Sequence, residues 1–389
     1  MKIALVSAFL EDDVYEKRLT DHFMENVICQ EDHFYHRIAF SLIKKNHEVT
    51  VFYMSQEKEL KEFKHKYGHK IVRVPAKKIP FIHEPIIFSS KLLDLIKKFE
   101  ICHFVSGYYV MYKIPDMFDY CVFKLNGKIP IVARWAGGNN KWLWPIRKKI
   151  KQLALRKCNK IICSGKDEIE VLQNIFEIPS EKISYLINPI DYNKFKKRDK
   201  TQVCKKLGFD PNKKYLLYVG RLIRNKGIEE LLFVFNKITN YDEELRLILI
   251  GDGPLREFIQ KFLKKNSLEG KVILKGRLSH DMICFYYNIS SILFHIGTSG
   301  GLPNVIMESL ASRLPIIASD NGANRDYVNT KLGTGIIIKS GDKSDLKNSI
   351  STILENEDMY GNTIPEKIME FSFENFGKKM SKIYEEITK

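Results

Sequence analysis

The chain of 389 residues is 44% hydrophobic and 28% charged, ordinary globular proportions that exclude wholesale disorder and fibrous architecture. Lys and Arg outnumber Asp and Glu by 63 to 47, a formal charge of +16, which favours a polyanionic partner such as nucleic acid, an anionic membrane surface or a phosphorylated substrate. The excess sits early: residues 1–200 hold 36 basic and 24 acidic side chains, residues 201–389 hold 27 and 23.

The opening MKIALVSAFLEDD reads as a first β-strand rather than a signal peptide, and no apolar run reaches the roughly 18 residues a spanning helix needs. Further strands are expected at Val49–Tyr53, Ile71–Val74, Ile101–Val105, Ile131–Ala133 and Lys160–Cys163, with amphipathic helical stretches such as HRIAFSLIKK between most of them. That is the rhythm of a parallel sheet covered by helices. Residues 191–214 are polar, charged and without a strand pattern, so they predict a linker. The rhythm then resumes at Tyr215–Val219, Arg246–Ile250, Val272–Leu274, Ile292–His295, Pro315–Ala318 and Gly335–Ile338. The expected architecture is α/β, with two Rossmann-like, doubly wound parallel-sheet domains facing a cleft: residues 1–195 and 196–371. The seven cysteines (Cys29, Cys102, Cys121, Cys158, Cys163, Cys204 and Cys284) are scattered with no C-x-x-C pair. Neither a disulfide framework nor a zinc site is indicated by them, and reduced thiols in a cytoplasm are expected.

Two segments carry candidate chemistry. In YLLYVGRLIRNKGIEELLFVF (215–235) a strand ends at Gly220, Arg221 and Lys226 follow in a short loop, and Gly227 leads into a helix. Two cations and a helix start at the mouth of a parallel sheet make an anion site. In GTSGGLPNVIMESLASRLPIIASDNGANRDYV (297–328), Gly300 and Gly301 permit close backbone approach to a ligand, and Glu308 lies about one turn inside the following helix. A carboxylate there can accept two hydrogen bonds from a vicinal diol such as a ribose. Neither G-x-x-x-x-G-K-[ST] nor G-x-G-x-x-G occurs at a strand-to-helix turn, so a P-loop or dinucleotide reading lacks its fingerprint.

These two segments, with LILIGDGPLREFI (247–259) and VILKGRLSHDMICFYYNISSILF (272–294) in order between them, resemble the glycosyltransferases of family 4, which have the GT-B fold. ICHFVSGYY (101–109), PIVARWAGGNN (130–140) and KIICSGKDEIEVL (160–172) look like that family's acceptor-domain strands, and FSFENFGKKMSKIYEEI (371–387) is similar to its last helices, which return residues 372–389 to the first domain. The resemblance implies that Arg221 and Lys226 bind the diphosphate of a nucleotide-sugar donor and that Glu308 holds the ribose. It places Gly276 and Arg277 beside the base, and Gly220, Gly300, Gly301, Leu302, Asn304 and Val305 around phosphate and sugar. The family pattern has a second glutamate eight positions before the one matched by Glu308, where this chain has Gly300, and a histidine where it has Ala136. The resemblance also implies retention of anomeric configuration, with the two cations stabilising charge on the leaving phosphate. No D-x-D occurs in the chain, so neither a metal nor another cofactor is expected in the transfer, and the nucleotide sugar is a substrate.

On the acceptor side the candidates are His103, at the end of a strand, and Gly137, Gly138 and Asn139 after another. Glu11, Asp12 and Asp13 form an acidic cluster beyond the first strand. Residues 141–160 hold eight Lys or Arg and no acid. Trp142, Leu143, Trp144, Ile146, Ile150, Leu153 and Ala154 fall largely on one helical face, with Arg147, Lys148, Lys151 and Lys157 around it, the pattern of a helix in an anionic membrane interface; a helix packed on its own sheet with a basic edge is the alternative. The reading is a cytoplasmic enzyme, peripheral on the inner face of the membrane, that adds a sugar to a glycan or lipid-linked glycan. The competing readings are a catalytically silent relative and, with no binding motif to support it, a nucleic-acid-binding protein.

Overall fold

The computed structural model describes every residue except 11–19, 80–85, 107–115, 136–144, 299–303, 322, 362–363 and 365. The chain forms two compact units, Met1–Pro189 with Phe371–Lys389, and Ile190–Glu370.

The first unit is built on one sheet. Its strands are β1 (Lys2–Leu10), β2 (Glu48–Ser55), β3 (Lys61–Lys64), β4 (Lys70–Pro75), then, beyond a small antiparallel pair β5 (Lys77–Ile79) and β6 (Ile86–Phe88), β7 (Ile101–Ser106), β8 (Ile131–Arg134), β9 (Lys160–Cys163) and β10 (Ile183–Tyr185). They lie in the order β10-β9-β8-β7-β1-β2-β4-β3, and β3 alone runs antiparallel to its neighbour. Both faces are covered, so the strands read as nearly continuous apolar runs rather than alternations. Ala4, Val6, Phe52 and Phe104 join one core; Ile3, Leu5, Val51, Tyr53 and Val105 join the other, against helices Phe34–Ile43 and Phe373–Thr388. Period-two alternation decides which core each residue enters.

The second unit holds β11 (Lys214–Val219), β12 (Leu245–Ile250), β13 (Val272–Gly276), β14 (Ser290–His295), β15 (Ile316–Ser319) and β16 (Gly335–Ile338) in the order β13-β12-β11-β14-β15-β16, all parallel. The order reverses between β11 and β14, and in open parallel sheets the crevice beyond the carboxyl ends at such a reversal is where ligands bind. Arg221 and Lys226 follow β11 at that point.

Every strand expected from the sequence is present. The short β3, β5, β6 and β10 were not anticipated: three or four residues carry too little pattern, and β3 and β5 have charges among them. The polar stretch 191–214 is not a bare linker. It contains helix Lys200–Leu207, capped by Asp199 accepting from the Gln202 amide at 2.8 Å, and its Phe195 is fully buried and edge-on to Tyr287. Asn288 fixes the stretch further, accepting from the Arg198 amide at 2.6 Å and donating to the Lys196 carbonyl at 3.0 Å.

Helix Pro145–Lys157 corrects the expected membrane-facing arrangement. Lys151, assigned to the charged rim, is 3% exposed, whereas Leu153, assigned to the apolar face, is 42% exposed. The face turned inward is Lys151, Ala154, Leu155 and Cys158, a helical i, i+3, i+4, i+7 stripe. Lys151 is held there by Asp116 and Asp119, each 2.8 Å from its Nζ. Trp142 and Trp144 lie outside the described residues, as do Glu11, Asp12 and Asp13.

Candidate functional site

Hydrogen bonds to β12 set the path of the loop after β11. The Gly220 amide donates to the Ile250 carbonyl at 2.9 Å and the Leu222 amide to the Asp252 carbonyl at 3.0 Å, while the Tyr218 hydroxyl donates to the Arg221 carbonyl at 2.8 Å. The loop therefore rests on the segment Gly251-Asp252-Gly253. A Cβ on Gly251 would overlap the Gly220 carbonyl oxygen, so only glycine admits this approach. Two glycines around an aspartate at the end of an apolar run, in LILIGDGPLREFI, are the sequence signal for this approach.

On its other side the loop meets the end of β14. Gly227 adopts φ +73°, and a Cβ there would lie 2.7 Å from Ile296 Cγ1. The Thr298 amide donates to the Asn225 carbonyl at 2.9 Å. The Ser319 hydroxyl and the Asn321 amide group both donate to the Gly297 carbonyl, joining the loops after β14 and β15.

Arg221 is exposed and makes no ion pair with a described residue. Lys226 is half-buried; burial, reinforced by the Arg221 guanidinium, holds its ammonium below the ordinary lysine range. Partial burial and the Arg221 charge both disfavour the Lys226 ammonium, a cost that a bound anion would relieve. The helix start adds little of its own, because the first turn of Ile228–Ile238 already carries Glu229 and Glu230. Beside Lys226, at the end of β14, His295 is buried with Nε2 unpartnered. Burial, with Lys226 nearby, pushes it down to about 3. The sequence reading gave this neutral imidazole no role.

Glu308 sits in helix Asn304–Ala311 and is 1% exposed. The Tyr287 hydroxyl donates to its Oε2 at 3.0 Å, and His280 Nε2 is 3.6 Å from Oε1. Both partners come from helix His280–Ile289. A carboxylate this buried needs such donors, and they fix its orientation. Asn304 and Val305 open the same helix and are half-buried. Gly276 closes β13 with its carbonyl accepting from the Gly251 amide at 2.8 Å, and Arg277 beyond it is exposed. Gly300, Gly301 and Leu302 lie outside the described residues, as do Gly137, Gly138 and Asn139 in the first unit.

Of the two settings open to His103, lining a cleft or packing in the core, the structure has the second. It is 1% exposed, its Nδ1 hydrogen-bonded at 2.7 Å to the hydroxyl of the fully buried Tyr384 on helix Phe373–Thr388. Burial, with the Arg134 charge adding to it, pushes the imidazole down to about 3. It is a core histidine that ties the final helix to β7.

Solved structures with the same layout cover the whole chain. Sucrose-phosphate synthase from Thermosynechococcus elongatus aligns over 99% of this chain and 98% of its own with a TM-score of 0.75 at 17% identity. Anabaena HepE in complex with UDP-glucose aligns over 99% and 100% with a TM-score of 0.72 at 13% identity. These likenesses define the class: the chain has the GT-B fold. The family described as "Glycosyl transferases group 1" matches residues 199–368, and "Glycosyltransferase Family 4" matches residues 33–194. The chain belongs to the group 1 glycosyltransferases of family 4 type. Among curated relatives, alpha-monoglucosyldiacylglycerol synthase of Streptococcus pneumoniae is 25% identical over 59% of this chain and 52% of its own length. Alpha-D-kanosaminyltransferase of Streptomyces kanamyceticus is 24% identical over 62% and 64%. The chain thus spans between half and two thirds of the length of these relatives.

Proposed function

We propose that the protein transfers a sugar from a nucleotide-diphosphate sugar to a hydroxyl of a glycan or lipid-linked glycan, with retention of configuration and without a metal in the transfer. The observation that carries this reading is the pair Arg221 and Lys226 at the reversal of strand order in the second sheet, the second cation partly desolvated. As the glycosidic bond breaks, negative charge grows on the leaving phosphate. Fixed cations already in place stabilise that charge without reorganisation, and each charged hydrogen bond contributes roughly 1.5 to 3 kcal/mol. Glu308, held by Tyr287 and His280, is assigned to the ribose hydroxyls. The acceptor hydroxyl attacks from the face the nucleotide leaves, and the phosphate oxygens can take its proton, so no side-chain nucleophile is needed. The Campylobacter jejuni relative named as an undecaprenol-linked 4-alpha-N-acetylgalactosaminyltransferase, 23% identical over 54% of this chain, supports a lipid-linked acceptor.

A thermal-shift screen against UDP, GDP and ADP sugars identifies the donor, since a bound ligand raises apparent stability by mass action. Nucleotide release in the presence of EDTA should then persist in the wild type and fall by about 10- to 100-fold in Arg221→Ala and Lys226→Ala. Binding without hydrolysis or transfer would indicate the silent relative, and no binding at all would end the donor assignment.

A peripheral membrane location is part of the same proposal. Among the described residues no helix is long and apolar enough to cross a membrane. Exposed Phe123 and Leu153 on two packed helices, with the exposed cations Lys124, Lys149 and Lys157 beside them in sequence, offer an interfacial surface. Salt-sensitive flotation with anionic vesicles is the expected result; flotation indifferent to lipid charge removes this part.

A further inference from the structure

Three imidazoles that have no role in the site described above meet inside the first unit. His36 lies in the first turn of helix Phe34–Ile43, and His65 and His69 flank the turn between β3 and β4 with the spacing H-x-x-x-H. All three are at most 2% exposed, and one ring nitrogen of each lies within 4.8 Å of the other two. The His65 ring lies flat against His36 at 4.0 Å and against His69 at 4.4 Å, and His36 Nδ1 is 2.8 Å from His69 Nε2.

We propose that His36, His65 and His69 form a binding site for one divalent transition-metal ion that braces the first unit. The outward-facing nitrogens are held as they are in histidine ligands, whose second nitrogen is oriented by an oxygen. His65 Nε2 is 2.9 Å from the Glu31 carbonyl, an acceptor, which puts the proton on Nε2 and leaves the lone pair on Nδ1. His36 Nε2 is 3.0 Å from the Tyr53 hydroxyl, so a proton there likewise frees Nδ1. Without an ion the six nitrogens are not all satisfied: His69 Nδ1 is buried with no partner. Such an orphan in a dry core is costly; an ion that takes the lone pair of His69 Nε2 leaves Nδ1 as the N–H, so the adjustment of the turn must also bring Nδ1 to an acceptor.

The rings are in the protonation state a metal requires. Burial holds His36 well below the ordinary histidine value, pushes His65 down to about 4 and pushes His69 down to about 3. Three neutral nitrogens suit zinc, cobalt, nickel or copper and not magnesium or calcium, which take oxygen ligands. At about 2.1 Å from each, a tetrahedral ion holds two nitrogens about 3.4 Å apart. His36 and His69, now 2.8 Å apart, must therefore separate by about 0.6 Å, and His65, stacked on both, must rotate out of parallel and turn its Nδ1 away from the Tyr67 amide, now 3.1 Å distant. The turn carrying His65 and His69 has Lys66 and Gly68 exposed, so this adjustment falls on a surface segment. The ion would join the start of one helix to the β3–β4 turn.

Chelator-stripped wild-type protein titrated with cobalt(II) tests this directly, by visible d–d absorption and by calorimetry. The expected result is one ion per chain with a dissociation constant of micromolar or tighter, and a rise in melting midpoint with zinc but not with magnesium. His69→Gln should weaken binding at least 100-fold, and His65→Gln should do the same if the first variant fails to fold. Wild-type protein that takes up no cobalt or zinc at tens of micromolar overturns the proposal, as does unchanged affinity in both variants.

Discussion

Lys151→Met separates the buried ion triad from the surface cation that the sequence suggested. An exposed lysine on a helix edge would change stability by a few tenths of a kcal/mol. Here Lys151 is 3% exposed, lies 2.8 Å from both Asp116 and Asp119, and keeps its stem in a core that methionine can fill. Burial and the neighbouring Asp116 charge push Asp119 up to about 7 even with the lysine present, so at neutral pH that carboxyl can already take a proton. The loss therefore falls on Asp116, left in a dry site without its cation, and breaking a buried pair from one side typically costs about 3 to 5 kcal/mol. All three tryptophans, Trp135, Trp142 and Trp144, belong to the first unit, so urea unfolding followed by tryptophan emission reads that unit alone. The expected destabilisation is about 3 to 5 kcal/mol at pH 7. A loss below about 1 kcal/mol refutes the reasoning.

Three further outcomes are expected. Gly251→Ala should push the Gly220–Leu222 loop off β12, lowering stability by about 1 to 3 kcal/mol and weakening nucleotide binding at least tenfold; wild-type melting and affinity would show that the approach is not tight. Tyr287→Phe leaves Glu308 Oε2 without the hydroxyl 3.0 Å away, and a hydrogen bond to a buried charge is worth about 1.5 to 3 kcal/mol. Denaturation of the second unit should register that loss, together with a higher KM for the donor. His103 and His295 are each pushed down to about 3, so between pH 6.5 and 3 the unfolded chain binds protons that the native state does not. Stability is therefore full above pH 6.5 and falls with acid, by about 2 kcal/mol per group between pH 7 and 5. His295→Gln should flatten that slope by about 1.4 kcal/mol per pH unit, and an unchanged slope would remove His295 as a source.

Period and turn chemistry carried most of the fold in the sequence. Runs such as Tyr215–Val219 and Val49–Tyr53 are long, apolar and β-branched or aromatic, and the only way to bury them on both faces is a parallel sheet covered by helices. The cations after β11 were legible for the same reason, since a strand end followed by a short loop and a helix fixes where a side chain lies along the sheet. Glu308 was legible only as a position; that Tyr287 and His280 hold it depends on how two helices pack, which spacing along one segment does not encode. Gly251 is the same case across two strands.

The face assignment within residues 145–157 is more instructive. The helix is present, but hydropathy sorted its residues by side-chain type into an apolar face and a charged rim, whereas Lys151 of that rim is buried and Leu153 of that face is exposed; a lysine paired with two carboxylates from another helix behaves as a core residue. Asp116 and Asp119 are 35 and 32 residues earlier in the chain, beyond the reach of any local window. The net charge is accordingly a poor guide to surface charge in this unit: Lys151, Arg37 and Arg73 are all at most 3% exposed, and each faces a carboxylate. Anionic-surface binding must rest on the cations that remain outside, among them Lys124, Lys149 and Lys157. Their charge reversal, not that of Lys151, should abolish vesicle flotation while leaving the fold intact.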